Sequence, residues 1–255
     1  MKTRLLFALL GAAIVVAPLS PVAFAQGKDT TNDYKRTWAG VATLKTLRKT
    51  GKTRDLLAAY PVFGGSRPVA QVAGLVLKQE AVRGFNGFEK DSRGTAKQLD
   101  LHDGMKYAFE LKPSLVLNRP HLISATTLFY QFTGGAHGLY GTTGYVFGFP
   151  NGAAKPRQLH LADFFTDGAA AKKRVNDLLM AKLRATKGKE QTADWVLDGE
   201  VKSVDQTLLE NFVADKDGLT WYFGPYAMGS YAMGEFEVPL TRSELGPNFR
   251  ASLLR

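Results

Sequence analysis

Tyr130-Gln-Phe-Thr-Gly-Gly-Ala-His-Gly138 is the stretch from which the rest of the chain can be ordered. Before it the chain alternates in strand fashion, and after it a second aromatic run, Leu139 to Phe149, heads back. A loop this short needs residues that turn sharply. Gly134, Gly135 and Gly138 supply that freedom, because glycine reaches positive φ without the steric cost other residues meet. His137 is held among them. Its imidazole has two possible uses: contact with a ligand or metal, or hydrogen bonds to backbone groups that lock the loop.

On the N-terminal side, Met105, Tyr107, Phe109 and Leu111 alternate with Lys106, Ala108, Glu110 and Lys112, a strand with one buried face. Leu115 to Leu117 and Leu122 to Phe132 read as two more strands, separated by Asn118-Arg-Pro120. Further back, Arg67 to Phe88 has helical spacing, with Val69, Val72, Ala73 and Val76 as its apolar stripe. Pro68 suits the first turn, where its missing N–H costs nothing. Gly84, Asn86 and Gly87 are expected to end or fray this helix, and Asp91 to Asp103 to form a polar loop. Ala59 to Gly65 is a strand end broken by Pro61 and two glycines. Trp38 to Leu57 mixes β-formers with Lys45, Arg48, Lys49, Lys52 and Arg54. That pattern fits a hairpin whose cations are either a binding patch or a solvated face.

On the C-terminal side, Asn151-Gly152 is a turn dipeptide. Leu159-His-Leu-Ala-Asp-Phe-Phe165 reads as a strand-and-turn unit closed by Asp167-Gly168. Asp163 within it either accepts backbone N–H groups or contacts a ligand. Ala169 to Ala185 is a helix with Val175, Leu178, Leu179 and Leu183 on its buried stripe, and Val204 to Val213 a shorter one. Leu219 to Phe223 and Gly234 to Leu240 are strands. The loop between them holds Tyr-Ala-Met-Gly twice, at 226–229 and 231–234, and is expected to display Tyr226 and Tyr231. With Trp221 these tyrosines could form an aromatic platform for a sugar or a protein, although alternate residues of 219–223 should be core.

The chain opens with Met1-Lys-Thr-Arg4, an apolar run from Leu5 to Val16 and a small-x-small exit at Ala23-Phe24-Ala25. These are the three parts of a Sec-type signal peptide cleaved after Ala25, which implies a periplasmic or secreted protein with no membrane span remaining. Loss of Lys2 and Arg4 brings the formal charge from +10 to +8. A basic surface attracts anionic partners, which outside the membrane are wall polymers or lipid head groups and not nucleic acid. There is no cysteine, hence no disulfide. Gly-x-Ser-x-Gly, Ser-x-x-Lys and His-Glu-x-x-His are all missing, and His102, His121, His137 and His160 lie far apart in sequence. No catalytic residue, metal or cofactor is therefore assigned.

Taken in order, Tyr60-Pro61, Thr133 to Gly138, Leu159 to Phe165, Asp217 to Tyr226 and Tyr231 to Gly234 resemble a known pattern. It is that of the extracytoplasmic domain of unknown function shared by the anti-sigma factor RsiV and the N-terminal part of the peptidoglycan deacetylase PdaC. The resemblance spans nearly all of Tyr60 to Leu245. It implies an α+β fold of two small lobes, antiparallel sheets with helices packed on them. The expected division is a signal peptide at 1–25, a flexible lead-in at 26–36, a PdaC-like lobe at 37–132, an RsiV-like lobe at 133–245 and a tail at 246–255. It also implies a binding role, since one member senses lysozyme by binding it, while the deacetylase carries catalysis in a separate domain. The resulting expectation is an exported binding module of the cell envelope, directed at a wall glycan or a lysozyme-like protein through His137, Tyr226, Tyr231, Trp221 and Asp163. Two alternatives stand beside it: a metal-assisted hydrolase of envelope material using His137 and Asp163, and a structural envelope protein with no discrete ligand.

Overall fold

The computed structural model describes residues 33–95, 105–151 and 153–255. The expected signal peptide, most of the expected lead-in, the part of the expected 91–103 loop beyond Thr95 with His102, and Gly152 lie outside them. The fold is α+β, with two sheets and helices against each. The first sheet has six strands in sequential order: β1 (Thr43–Thr50), β2 (Arg54–Val62), β3 (Tyr107–Arg119), β4 (Leu122–Phe132), β5 (Leu139–Gly148) and β6 (Arg157–Gln158). The second has three: β7 (Phe212–Ala214), β8 (Gly218–Phe223) and β9 (Phe236–Thr241).

Among the described residues, two long helices and four short ones frame the sheets. α1 (Asp33–Thr37) begins inside the expected lead-in. It is ordered because Tyr34 and Trp38, four residues apart, both bury their rings, and the Trp38 indole donates to the Pro113 carbonyl at 2.9 Å. α2 (Pro68–Thr95) connects β2 to β3, and this helical crossover is why those two strands run parallel in a sheet otherwise antiparallel. The first sheet is therefore mixed, not antiparallel throughout. α2 does not stop at Gly84 or Gly87 as expected. Gly84 instead lets the helix approach β3, since a Cβ there would lie 2.9 Å from the Phe109 ring. The buried face of α2 runs through Val69, Ala73, Leu77, Ala81, Phe85 and Phe88, with Val72 and Val76 half-buried beside it. β3 is also one strand where two were expected. A bulge at Val116 absorbs the break in alternation between Leu115 and Leu117.

α3 (Gly168–Arg184) packs on the second sheet and is capped by Asp167, whose carboxylate accepts from the Ala169 and Ala170 amides. α4 (Asp194–Leu197), α5 (Gln206–Leu209) and α6 (Arg242–Leu245) are single turns. The region expected as one helix over 204–213 is thus α5 followed by β7. The 159–165 unit is a 3-10 turn (Leu161–Phe164), not a strand. Its Leu161 and Phe164 are driven into the core with Phe212 and Phe249. The residues after 245 are docked as well: Phe165 and Phe249 pair through a β-bridge and Leu254 is buried.

The two sheets share a core. Leu117, Leu122 and Val146 of the first pack with Phe212, Trp221 and Phe223 of the second. β5 and β6 continue the first sheet well beyond the 132/133 boundary expected from sequence. Gly144 of β5 is where the backbones come closest, and a Cβ there would lie 2.2 Å from the Phe212 carbonyl oxygen. Asn211 ties the junction: its amide donates to the Thr142 and Tyr222 carbonyls, and its carbonyl accepts from the Gly144 N–H.

Candidate functional site

The β4–β5 loop, the β8–β9 loop and α4 meet at one end of β5, and each brings an aromatic ring. Gly134 and Gly135 take φ of 94° and 100°, as a tight loop demands. Gly138 serves differently. A Cβ there would fall 2.4 Å from the Tyr130 ring, so its role is close approach. The turn leaves His137 exposed. Its Nδ1 donates to the Gly138 carbonyl at 3.1 Å; a carbonyl only accepts, so Nδ1 carries the proton and Nε2 is left as acceptor. The Tyr226 hydroxyl donates to that Nε2 at 3.4 Å.

The rings form a continuous cluster. His137 stacks on Tyr231 with centroids 3.7 Å apart and 20° between planes. Tyr226 lies 5.7 Å from Tyr231 and 6.4 Å from Trp195. Tyr140 of β5 meets Tyr231 edge-on at 5.9 Å. The Tyr231 hydroxyl donates to the Gly138 carbonyl at 2.8 Å, so one oxygen holds both His137 and Tyr231 in place. Burial raises the Tyr231 pKa, with a smaller push from Tyr226. Burial likewise raises that of Tyr140, with Tyr231 and Glu235 adding to it against the backbone N–H of Glu235.

The β8–β9 loop explains its own repeat. In each Tyr-Ala-Met-Gly copy the methionine turns inward, Met228 at 1% exposure and Met233 half-buried, and the tyrosine turns toward the cluster. Tyr226 is 48% exposed and has φ of 69°, the one positive φ at a non-glycine among the described residues. A left-handed tyrosine is held against its own preference by its surroundings. The loop is pinned from outside by Gln191, whose amide donates to the Met233 and Glu235 carbonyls at 2.8 Å each, and by the Trp195 N–H, which donates to the Met228 carbonyl. Glu235 accepts from the Thr142 N–H and hydroxyl at 2.5 and 2.6 Å, joining the loop to β5. Its burial raises its pKa, and the Thr142 bonds act in the opposite direction.

Of the residues expected at a site, His137, Tyr226 and Tyr231 are brought together. Trp221 is not: it is 0% exposed, its indole donates to the Leu209 carbonyl, and it belongs to the core because β8 turns that face toward α5 and α3. Asp163 is also elsewhere. Its oxygens accept two bonds from the Arg157 guanidinium and one from the His160 N–H, closing the 3-10 turn. Arg157 pairs with the last residue of β5, whereas His137 precedes the first. That strand separates them by roughly 30 Å. The His137–Asp163 pair of the hydrolase alternative therefore does not form, and among the described residues no three His, Asp or Glu side chains converge as a metal site would require. Trp195, Tyr140 and Glu235 were missed in sequence. Trp195 carried one usable signal, a lone tryptophan in a stretch of acids (Asp194, Asp198, Glu200 and Asp205).

Fold and site together define a two-lobed α+β domain with a solvent-facing aromatic cluster where the lobes meet. Residues 49–140 match the family model described as Deacetylase PdaC, and residues 162–243 the one described as Protein of unknown function (DUF3298). The two matched segments follow one another along the chain without overlap. Two crystal structures of DUF3298 family proteins share the fold. One, from Bacteroides fragilis, is 21% identical with a TM-score of 0.55, the match covering 82% of this chain and 95% of that one. The other, from Pseudomonas aeruginosa, is 15% identical with a TM-score of 0.55, covering 80% and 92%. No curated protein matches the chain.

Proposed function

We propose that this chain is an exported binding module of the cell envelope, and that the cluster of His137, Tyr226, Tyr231 and Trp195 binds a wall glycan. The observation that carries the reading is the cluster itself: rings from three separate segments gathered at the surface, with Tyr226 held at φ 69° and half exposed. Flat sugar faces stack on such rings, and the hydroxyls of Tyr226 and Tyr231 add polar handles. Nothing structural in the lobe needs Tyr226, because the core beneath is filled by Met228, Phe223 and Phe236. Titration calorimetry of the protein with chito-oligosaccharides tests the reading. Binding that is saturable, and that falls at least about tenfold in the Tyr226→Ala variant, supports it. Binding unchanged by Tyr226→Ala and by Tyr231→Ala refutes it.

One observation favours a second reading, a basic wall-lytic protein such as a lysozyme. Asp194, Asp198, Glu200 and Asp205 bracket Trp195 in a chain of net charge +10, and among the described residues none of these acids is in an ion pair. Glu200 and Asp205 line a 480 Å³ hollow with Lys202, Ala227 and Met228, next to Tyr226, so the acids outnumber the one cation there. Such a local acidic rim counters the repulsion that overall charge would impose on a basic partner. Salt-dependent one-to-one binding of lysozyme that is lost on Asp198→Lys with Glu200→Lys separates this reading from the first.

A further inference from the structure

The outer face of the first sheet, opposite α2, continues away from the aromatic cluster. Pairing across the strands places Arg48 beside Leu57, Leu57 beside Glu110, Glu110 beside Tyr130 and Tyr130 beside Tyr140. Directly paired residues point to the same face, so these five form one row across β1 to β5. Four strand spacings make the row about 19 Å long. Its far half is a groove of 480 Å³ walled by Tyr34 and Lys35 of α1 and floored by Arg48, Asp55, Leu57 and Glu110. Its near half is tyrosine. Burial raises the Tyr130 pKa, and the further contributions from Tyr231 on one side and Glu110 on the other mark it as the link between the halves. The Tyr130 ring lies over Gly138, and Tyr140 meets Tyr231.

The charges of the groove are unequally satisfied. Glu110 is taken by Lys112, which is 8% exposed; Asp55 accepts from the Thr50 hydroxyl and, among the described residues, has no cationic partner, so it stands as one carboxylate against the two cations that follow. Lys35 and Arg48 are exposed, and among the described residues neither has a carboxylate partner. Lys35 lies over the Tyr34 ring, and Arg48 reaches the Thr50 hydroxyl at 3.4 Å. A site that runs from stacking rings to unpaired cations suits a linear polymer that is both sugar and acid. We propose that the groove and the aromatic cluster are one extended site for an acidic glycan, with sugar rings along Tyr226, Tyr231, Tyr140 and Tyr130 and carboxylates at Lys35 and Arg48. This deepens the glycan reading above and rests on it.

The test uses oligogalacturonates of increasing length beside neutral chito-oligosaccharides of matching lengths, titrated into the protein. Affinity for the galacturonates should rise with length until the row is spanned. Reversing both cations (Lys35→Glu with Arg48→Glu) should weaken the long galacturonates about tenfold or more and leave the neutral oligomers unchanged. Arg48→Lys, which keeps the charge, should restore most of that loss when made with Lys35 intact. Both cations are exposed, so a matching unfolding midpoint shows that the reversal has not damaged the fold. The extended site is refuted if the long galacturonates bind no tighter than the short, or if charge reversal affects both ligand classes alike. In either case neutral binding that still depends on Tyr226 leaves the aromatic platform standing. Absence of all binding overturns both.

Discussion

Tyr226 offers a comparison in which the usual sign of a substitution is reversed. At ordinary backbone angles alanine is more stable than glycine by about 0.5–1 kcal/mol, because glycine has more freedom to lose on folding. At φ of 69° the comparison changes. A residue with a Cβ pays about 1–2 kcal/mol to occupy the left-handed region, and glycine does not. Tyr226→Ala and Tyr226→Gly remove the same ring contacts with Trp195, Tyr231 and His137, so those losses cancel between them. What remains is a net advantage for glycine between about 0 and about 1.5 kcal/mol, centred near about 0.8 kcal/mol, or about 2–3 °C in unfolding midpoint for a chain of this size. Denaturant unfolding of the two variants, with m-values compared, measures it directly. Both should lose glycan binding equally, which separates the ring's part in recognition from the backbone's part in stability. If the alanine variant is more stable than the glycine variant by the about 0.5–1 kcal/mol expected at ordinary backbone angles, residue 226 is not left-handed, and the geometry that aims its ring beside Tyr231 is wrong.

Other substitutions probe the packing that supports the site. Gly87→Ala should stabilise α2 by about 1 kcal/mol, since a Cβ there meets nothing within 4 Å, whereas Gly84→Ala drives a Cβ into the Phe109 ring and should be about 1–3 kcal/mol less stable than Gly87→Ala. Gly144→Ala should cost about 3 kcal/mol or more in denaturant unfolding, because its Cβ would meet the Phe212 backbone, which cannot move aside as a side chain would. Stability should fall on acidification below pH 4.5 partly through Glu244. Its hydrogen bond with Lys182 and its bonds from Thr241 hold its pKa at about 2 in the folded protein, against 4.5 ordinarily. A depressed folded pKa gives stability that is full above the unfolded value and lost as pH falls toward the folded one. Glu244→Gln should therefore show a shallower decline between those limits.

Much of the fold was legible because its periodicities were clean. The alternation from Tyr107 to Leu111 marks a buried face on α2, and the spacing of Val175, Leu179 and Leu183 marks the face of α3 that meets the second sheet. The misreadings have a common cause: residues that punctuate local structure were used for long-range contact. Gly84 looks like a helix breaker and is a contact with Phe109; the 115–117 irregularity looks like a strand end and is a bulge. The parallel pairing of β2 with β3 has no local signature, since it follows from where α2 returns the chain. At the site, His137, Tyr226 and Tyr231 were readable from their glycine neighbours, which mark loops. Trp221 was not separable from them by type. Its strand position, with Leu219 and Phe223 on the same buried face, is what assigns it to the core. Tyr140 could be found in three dimensions alone, and the acids around Trp195 single it out without placing it, because only the meeting of β5, α4 and the β8–β9 loop makes the two neighbours of the cluster.

The site's place at that junction follows from how β5 is used. Its far half is clamped between the sheets, where Gly144 admits the Phe212 backbone and Asn211 satisfies the amides on either side. Its near half, at Leu139 and Tyr140, leaves the clamp and carries the glycine loop with it. Thr142 stands between the halves and holds Glu235, which fixes the start of β9 and so the end of the tyrosine loop. The rigid part of the strand therefore positions both loops that form the cluster, one by covalent continuation and one through the half-buried Glu235 carboxylate. An aromatic platform assembled this way loses little freedom when a ligand settles on it, because ordering of its rings was already accomplished by folding. The same strand carries Tyr140 into the row that leads to Arg48, so the junction orients the cluster toward the open face of the first sheet. In the proposed extended site, a ligand stacked on Tyr231 would be directed along the sheet toward Lys35 and Arg48.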